Sequence, residues 1–186
     1  MPNIRQDQAV FIDAGDPDKM NCLTLNRPGE LGMCFEWNQR SYQIVQLDSG
    51  ATSATTAGAV AANELAYWKD RTTYLVTNDS RQALYANTAL SFRNRVAGIF
   101  RASTSGTTTA TPGYYICILQ RGDNIAVKEV GSATCGMVLI ASTSTTAADA
   151  LGVAINTAPN CLTLGTVRTA TSGVTCYADV NIADVP

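Results

Sequence analysis

The sequence predicts an all-β protein, a β-sandwich or small barrel of short antiparallel strands with an extended N-terminal arm. Three observations lead to this prediction. Short apolar stretches recur along the chain after residue 41, and glycines separate them at short intervals. Threonine favours strands, and the 23 threonines and 26 alanines together make up about a quarter of the 186 residues. Only 15% of the residues are charged, which disfavours long solvated helices.

Residues 1–40 are predicted to form the arm, and residues 41–186 a single β-rich domain. The first segment is polar, carries repeated proline and glycine, and has no sustained hydrophobic period. It contains two short apolar patches, Leu23/Leu25 and Phe35/Trp37. These patches either dock on a neighbouring molecule or fold back onto the protein's own core, and the sequence leaves both alternatives open.

Two strands are predicted in the first half of the domain, at residues 42–47 (YQIVQL) and 73–77 (TYLVT). Residues 57–69 between them are ambiguous. Leu65 and Trp68 lie at helical spacing, whereas Leu65 and Tyr67 also suit a short strand. We predict a strand at residues 64–69 because the flanking sequence is β-like, with a short alanine-rich helix as the alternative.

Residues 114–119 (YYICIL) form the most hydrophobic segment and are predicted to be a central strand. Both sets of alternate side chains are apolar there, which is typical of a strand covered on both faces. The following residues 121–124 (RGDN) have the composition of a turn, and residues 125–130 alternate again. We therefore predict a hairpin at this position.

Four further strands are predicted at short intervals in the last third of the chain, at residues 137–141, 151–155, 162–167 and 174–180. In the last of them Cys176, Ala178 and Val180 fall on one face, whereas Tyr177 and Asp179 fall on the other. This alternation is typical of a half-buried antiparallel strand.

The composition excludes most common catalytic mechanisms. Because the chain contains no histidine, it cannot build a Ser-His-Asp or Cys-His centre or a mixed His/Cys metal site. Neither glycine-rich phosphate-binding pattern is present. Asp16 and Asp18 could form a carboxylate pair, but their glycine and proline neighbours favour a solvated turn. We therefore expect a protein that is not an enzyme and that binds no cofactor or metal.

Charge and cysteine usage predict where the protein works. The net charge of −2 disfavours general binding to nucleic acid or to anionic membranes, and no apolar run is long enough for a transmembrane helix. The sequence starts without the pattern of a secretory signal, so we expect the protein to be made in the cytoplasm. In that reducing compartment the six cysteines are predicted to be free thiols.

The charges are unevenly spread along the chain. Residues 1–68 carry four basic and eight acidic groups, net −4, whereas residues 69–101 carry six basic and two acidic groups, net +4. This asymmetry predicts either contacts between complementary subunits or pairing inside one chain. Ten of the thirteen basic residues are arginines, a bias that favours planar contacts at interfaces.

Several stretches also carry a resemblance to a known family. They are YQIVQLD (42–48), LAYWKDR (65–71), YLVTN (74–78), NRVAGIFR (94–101), PGYY to QRG (112–122), GTVRTA (165–170) and DVNI (179–182). Together they resemble the capsid cement, or head decoration, proteins of tailed bacteriophages, over about residues 41–186. The N-terminal arm has no counterpart in simple decoration domains.

The resemblance implies a structural virion protein that binds the outer surface of a phage head and reinforces its lattice. It implies the major capsid protein as partner, a homotrimer as the assembly, and the capsid exterior as location after assembly in the host cytoplasm. The alternative is a tail-associated or host-surface-binding protein, an adhesin that would grip its ligand with tryptophan and tyrosine. The candidate residues for subunit or capsid contacts are Leu23, Leu25, Phe35, Trp37, Tyr67, Trp68, Arg71, Arg93, Arg95 and Arg101.

Overall fold

A computed structural model describes residues 17–19, 31–48, 60–83, 96–101, 115–141, 154–157, 163–169 and 175–182. These residues form strands and one short 3-10 turn, Pro17–Lys19, so the all-β prediction is confirmed. None of them belongs to a helix long and apolar enough to cross a membrane. The strands are β1 (Cys34–Trp37), β2 (Arg40–Leu47), β3 (Leu65–Asp70), β4 (Leu75–Thr77), β5 (Val96–Phe100), β6 (Tyr115–Val130), β7 (Val138–Ala141), β8 (Ala154–Thr157), β9 (Gly165–Thr169) and β10 (Thr175–Asn181).

Strand β6 is the centre of the sheet. Its first half pairs with β2 and β5, and the pairs β2–β4, β4–β3 and β3–β5 close a hydrogen-bonded circuit of five strands. Its second half pairs with β10 and β8, and the pairs β10–β9, β9–β7 and β7–β8 close a second circuit. The pairs β2–β4 and β6–β8 are parallel, unlike the purely antiparallel prediction.

The two faces of β6 belong to two different parts of the core. Ile116 and Ile118 join a cluster to which all five strands of the first circuit contribute, so this cluster fills the inside of that circuit. Cys117 and Leu119 join a larger cluster that continues into the second circuit. All four side chains are at most 1% exposed, which confirms the prediction of a central strand covered on both faces.

The predicted hairpin at residues 121–124 is wrong, because β6 runs through these residues as one strand of 16 residues. Asn124 does have the positive φ of 52° that suits a turn residue. In the pairing with β10, however, Val180 faces Gly122 and Ala178 faces Ile125, so β6 holds one extra residue. The turn-like residues therefore form a β-bulge, which bends the strand without reversing it.

The ambiguous segment before β4 is a strand, β3, so the preferred interpretation of residues 64–69 is confirmed to within one residue. Strand β4 is shorter than predicted and begins at Leu75, after Tyr74, whose φ is +54°. The last predicted strand is also confirmed, as β10, with Cys176 and Ala178 buried and Tyr177 exposed.

The end of the predicted arm is part of the sheet. Strand β1 pairs with β2 across a two-residue turn in which Asn38 and Gln39 both have positive φ, the geometry that matches the twist of paired strands. The Phe35 ring stacks on Tyr42 at 5.5 Å and is 2% exposed. For this patch the core alternative is therefore confirmed. Residues 1–16 and 20–30 lie outside the described residues, so the arm as a whole stays a prediction.

Candidate interaction site

Three of the ten candidate interface residues lie in the protein's own core. Phe35, Tyr67 and Trp68 are each at most 2% exposed, so they offer no surface to a partner and their assignment as contact residues is wrong. The physical reason lies in β3, where Tyr67 packs on one face of the strand and Trp68 on the other, inside the first circuit. Four candidates lie outside the described residues, namely Leu23, Leu25, Arg93 and Arg95.

The other three candidates are partly exposed. Trp37 is half-buried against the larger core cluster. The Arg71 guanidinium lies over the Trp68 ring at 5.8 Å from its centre, a cation–π geometry. Arg101 is directed at Asp18, and its side chain is 15% exposed. The six candidates that the structure describes are therefore not gathered into one surface.

A polar cluster that the sequence did not predict surrounds Asp18. Its carboxylate accepts hydrogen bonds from Arg40 Nη1 at 2.5 Å, from the Tyr42 hydroxyl at 2.8 Å and from Arg101 Nε at 3.3 Å. These donors come from β2 and from the end of β5, up to 83 positions away in sequence. Asp18 is therefore fixed on the β body and does not lie in a solvated turn, so that interpretation is wrong for this residue. We call this group the Asp18 clasp.

Arg101 connects the Asp18 clasp to two further parts of the body. Its Nη1 donates to Asn63 Oδ1 at 2.7 Å and to the Ala126 carbonyl oxygen at 3.2 Å. One guanidinium therefore links Asp18, the turn before β3 and strand β6. Burial and, second, the hydrogen bond to the Asp18 carboxylate raise the pKa of Tyr42 well above its usual value. The Tyr42 hydroxyl therefore stays a proton donor throughout the physiological range.

The charge asymmetry of the sequence is at least partly paired inside the chain. Lys69 Nζ lies 2.7 Å from Asp48, and Arg101 lies 3.3 Å from Asp18, so each of these contacts joins the basic segment to the acidic one. The alternative of internal pairing is thus confirmed for these two cations. The sequence could not distinguish it from contacts between subunits, because charge counts carry no information about distance.

The surface around the bulge in β6 is a second candidate site. An open groove of about 430 Å³ lies there, and Gln39 of the β1–β2 turn reaches it. The Asp179 carboxylate accepts from Arg168 Nε at 2.5 Å and from the Asn124 N–H at 3.0 Å, and both contacts hold its pKa below the usual value. The lining residues are Gln39, Arg121, Gly122, Asp123, Asp179, Val180 and Asn181.

One outward face of the second circuit continues from this groove, and we call it the β10 face. It is defined by five exposed side chains on β6, β9 and β10, namely Arg121, Asp123, Arg168, Tyr177 and Asn181. Tyr177 is 42% exposed, which is unusual among the large apolar side chains of the described residues. The sequence signal for this face was the alternation in residues 174–180, which placed Tyr177 and Asp179 opposite the buried residues.

Within the described ranges, no three side chains of the types that commonly bind metals come together. The chain matches no model of a known protein family, and a comparison with curated proteins gives no match either.

Proposed function

We propose that this protein is a structural virion protein that binds the outer surface of a tailed-phage head and reinforces its lattice. The proposal starts from the resemblance of residues 41–186 to capsid cement proteins. The observation that supports it best is the double closure of the β body around β6. A body whose strands close two hydrogen-bonded circuits has few edges at which to open, which suits a protein that must hold its shape while it braces a lattice.

The β10 face is the surface that we assign to the contact with the major capsid protein. Exposed tyrosine and arginine are the residue types that dominate binding energy at protein interfaces, and Tyr177 and Arg168 supply both here. The core positions of Phe35, Tyr67 and Trp68 remove these residues from the original candidate set. Residues 1–16, which precede the Asp18 clasp, would add a tether that starts from a fixed point on the body.

The assembly that we propose is a homotrimer, and this part rests on the resemblance. A closed cyclic assembly presents identical copies of one face toward a lattice, so that each weak contact is multiplied by avidity. The uneven spread of charge is weaker support for the trimer than the sequence alone indicated. Asp48 and Asp18 already pair with cations of the same chain and are not needed for contacts between subunits.

The test is binding to phage heads that lack this protein. The intact chain should bind such heads, remain bound through washing and raise the temperature at which they rupture. The double variant Tyr177→Ala/Arg168→Ala should bind more weakly by at least an order of magnitude, since each hot-spot residue contributes about 2 kcal/mol or more. Glu36→Ala, an exposed change on β1, is the matched control and should bind like the intact chain. Normal binding by the double variant would exclude the β10 face, and no binding by the intact chain would exclude the cement function.

The alternative function is that of a tail-associated or host-surface-binding protein. The groove beside Asp179 is the surface that such a protein would use, because charged and polar side chains line it and it is open to a host-surface ligand. Labelled protein would then bind host cells and leave the rupture temperature of heads unchanged. The same double variant tests this alternative, since Tyr177 lies on β10, which lines the groove, and Arg168 on β9 binds the groove residue Asp179.

A further inference from the structure

Glu64 is a buried carboxylate that contacts both the half-buried Lys128 and the buried Asn78. Its carboxylate accepts from Lys128 Nζ at 2.7 Å through Oε1, and from Asn78 Nδ2 at 2.8 Å through Oε2. The Ala61 N–H donates to Oε2 at 3.0 Å and fixes the orientation of the carboxylate. Asn78 is fully buried, and the Glu64 side chain is 2% exposed. An amine and a carboxamide are thus bound to the two oxygens of one buried carboxylate, while the Lys128 side chain itself is 33% exposed.

We propose that Lys128 and Asn78 form an intramolecular isopeptide bond, with Glu64 as the group that transfers the protons. The amine needed for the reaction is a nucleophile when neutral, the carboxamide is its electrophile, and the carboxylate between them is placed to act as base and then as acid. This chemistry concerns the chain's own covalent structure and does not depend on the proposed function.

The reaction balances without any co-reactant. Glu64 takes a proton from the Lys128 ammonium, and the neutral Nζ then attacks Cγ of Asn78. The Nζ–Cγ bond is formed in the tetrahedral intermediate. Glu64 then returns its proton to Nδ2, the Cγ–Nδ2 bond breaks and ammonia leaves, and the remaining extra proton on Nζ passes to this ammonia. The products are a secondary amide between the two side chains and one ammonium ion, and Glu64 is again a carboxylate. No group is oxidised or reduced.

The surroundings hold the reactants in position. Lys128 Nζ lies 2.7 Å from Glu64 Oε1, so the first proton can pass along an existing hydrogen bond. Backbone hydrogen bonds fix all three segments, since the Lys128 N–H donates to the Asn63 carbonyl at 2.8 Å and β4, which ends at Thr77, pairs with β3. Such fixed proximity replaces a bimolecular encounter and can raise effective concentration by orders of magnitude.

The bond would join the two circuits of the fold. Asn78 follows β4 in the first circuit, whereas Lys128 lies in the half of β6 that belongs to the second. The link closes a loop of about 50 residues, and a cross-link of that span restricts the unfolded chain and so stabilises the folded one.

The intact mass of the denatured full chain is the first measurement. The expected mass is lower than the sequence mass by one molecule of ammonia. Because a succinimide at an asparagine would lose the same mass, trypsin digestion must locate the change. Trypsin cannot cleave after an acylated lysine, so peptide 72–81 should be recovered joined to peptide 122–168. Recovery of free 72–81 together with a peptide that ends at Lys128 would overturn the proposal, as would the unmodified mass.

Two variants separate the reaction from a simple ion pair. Lys128→Arg keeps a cation beside Glu64 but removes the nucleophile, so it should show the full sequence mass and melt at a lower temperature than the intact chain. Glu64→Gln keeps the shape of the side chain but removes the proton transfer, and it should leave the lysine and asparagine unlinked. Complete cross-linking in Glu64→Gln would refute the role of Glu64, and equal melting temperatures for Lys128→Arg and the intact chain would refute the stabilising effect.

Discussion

Replacing Asp18 by alanine tests whether the N-terminal segment belongs to the folded body. The substitution removes the shared acceptor of Arg40, Tyr42 and Arg101 at once. All three donors come from the β body, so the substitution removes hydrogen bonds from the body as well as from residues 17–19. We expect Asp18→Ala to lower the free energy of unfolding by about 2–4 kcal/mol.

The magnitude follows from the exposure of each partner. Breaking a fully buried ion pair costs about 3–5 kcal/mol, but the Arg40 and Asp18 side chains are 32% and 18% exposed, so water replaces part of the lost interaction. The Tyr42 residue is 1% exposed, and leaving its hydroxyl without an acceptor adds roughly 1–3 kcal/mol. Tyr42→Phe removes only this hydroxyl and leaves both arginines paired, so it should cost about 1 kcal/mol.

Chemical denaturation of the full chain, followed by tryptophan fluorescence, measures these differences. The control is Glu36→Ala, an exposed change on β1 that should stay within about 0.5 kcal/mol of the intact chain. A double-mutant cycle of Asp18→Ala with Arg101→Ala should give a coupling energy of about 0.5–3 kcal/mol. If Asp18→Ala is as stable as Glu36→Ala, the clasp does not hold the segment and the reasoning fails.

Four further predictions test other parts of the structure. Burial raises the pKa of Cys117 from 9.0 to about 12 and that of Cys176 to about 11, so their contribution to stability should be complete below pH 9 and fall as the pH rises toward these values, measured by denaturation at stepped pH. Thiol titration of the denatured, unreduced chain should find six reactive groups, and fewer would contradict the prediction of free cysteines. Gly165→Ala would place a Cβ 2.2 Å from the Asp179 carbonyl oxygen and should cost at least about 1–3 kcal/mol, whereas the exposed neighbour change Thr166→Ala should cost much less. Light scattering should give the mass of a trimer, and a monomer at every concentration would exclude that assembly.

The strands that alternate clearly could be predicted from sequence, because alternation reports directly which face is buried. Residues 175–180 of the predicted strand 174–180 are an example, because they lie in β10 with one face buried. Residues 42–47 lie in β2 as expected, but residues 42–45 are buried on both faces, so there the pattern predicted the strand and not its burial. The closure of the sheet into two circuits could not be predicted, since it depends on the parallel pairs β2–β4 and β6–β8, which join strands distant in sequence. A residue pattern of period two is the same for parallel and antiparallel neighbours.

The error at residues 121–124 has a specific cause. Arginine, glycine, aspartate and asparagine in sequence favour a left-handed residue, and Asn124 is indeed left-handed. A turn and a bulge both need such a residue, and only the partner strand decides between them. Here β10 accepts the extra residue, with the Asp179 carboxylate bound to the Asn124 N–H, so the chain continues forward.

The Asp18 clasp and the Phe35 ring show that parts of the first 40 residues belong to the β body. A polar segment with many prolines and glycines looks independent of the core, because neither its charges nor its isolated apolar residues form a period. Yet one carboxylate with three distant donors, and one ring stacked on Tyr42, are enough to fix residues 17–19 and 34–37 on the body. Removal of residues 1–40 would therefore expose part of the core and take the Asp18 acceptor away from Arg101 and from the Tyr42 hydroxyl. A tether that can be removed without cost to the fold has to end before Pro17.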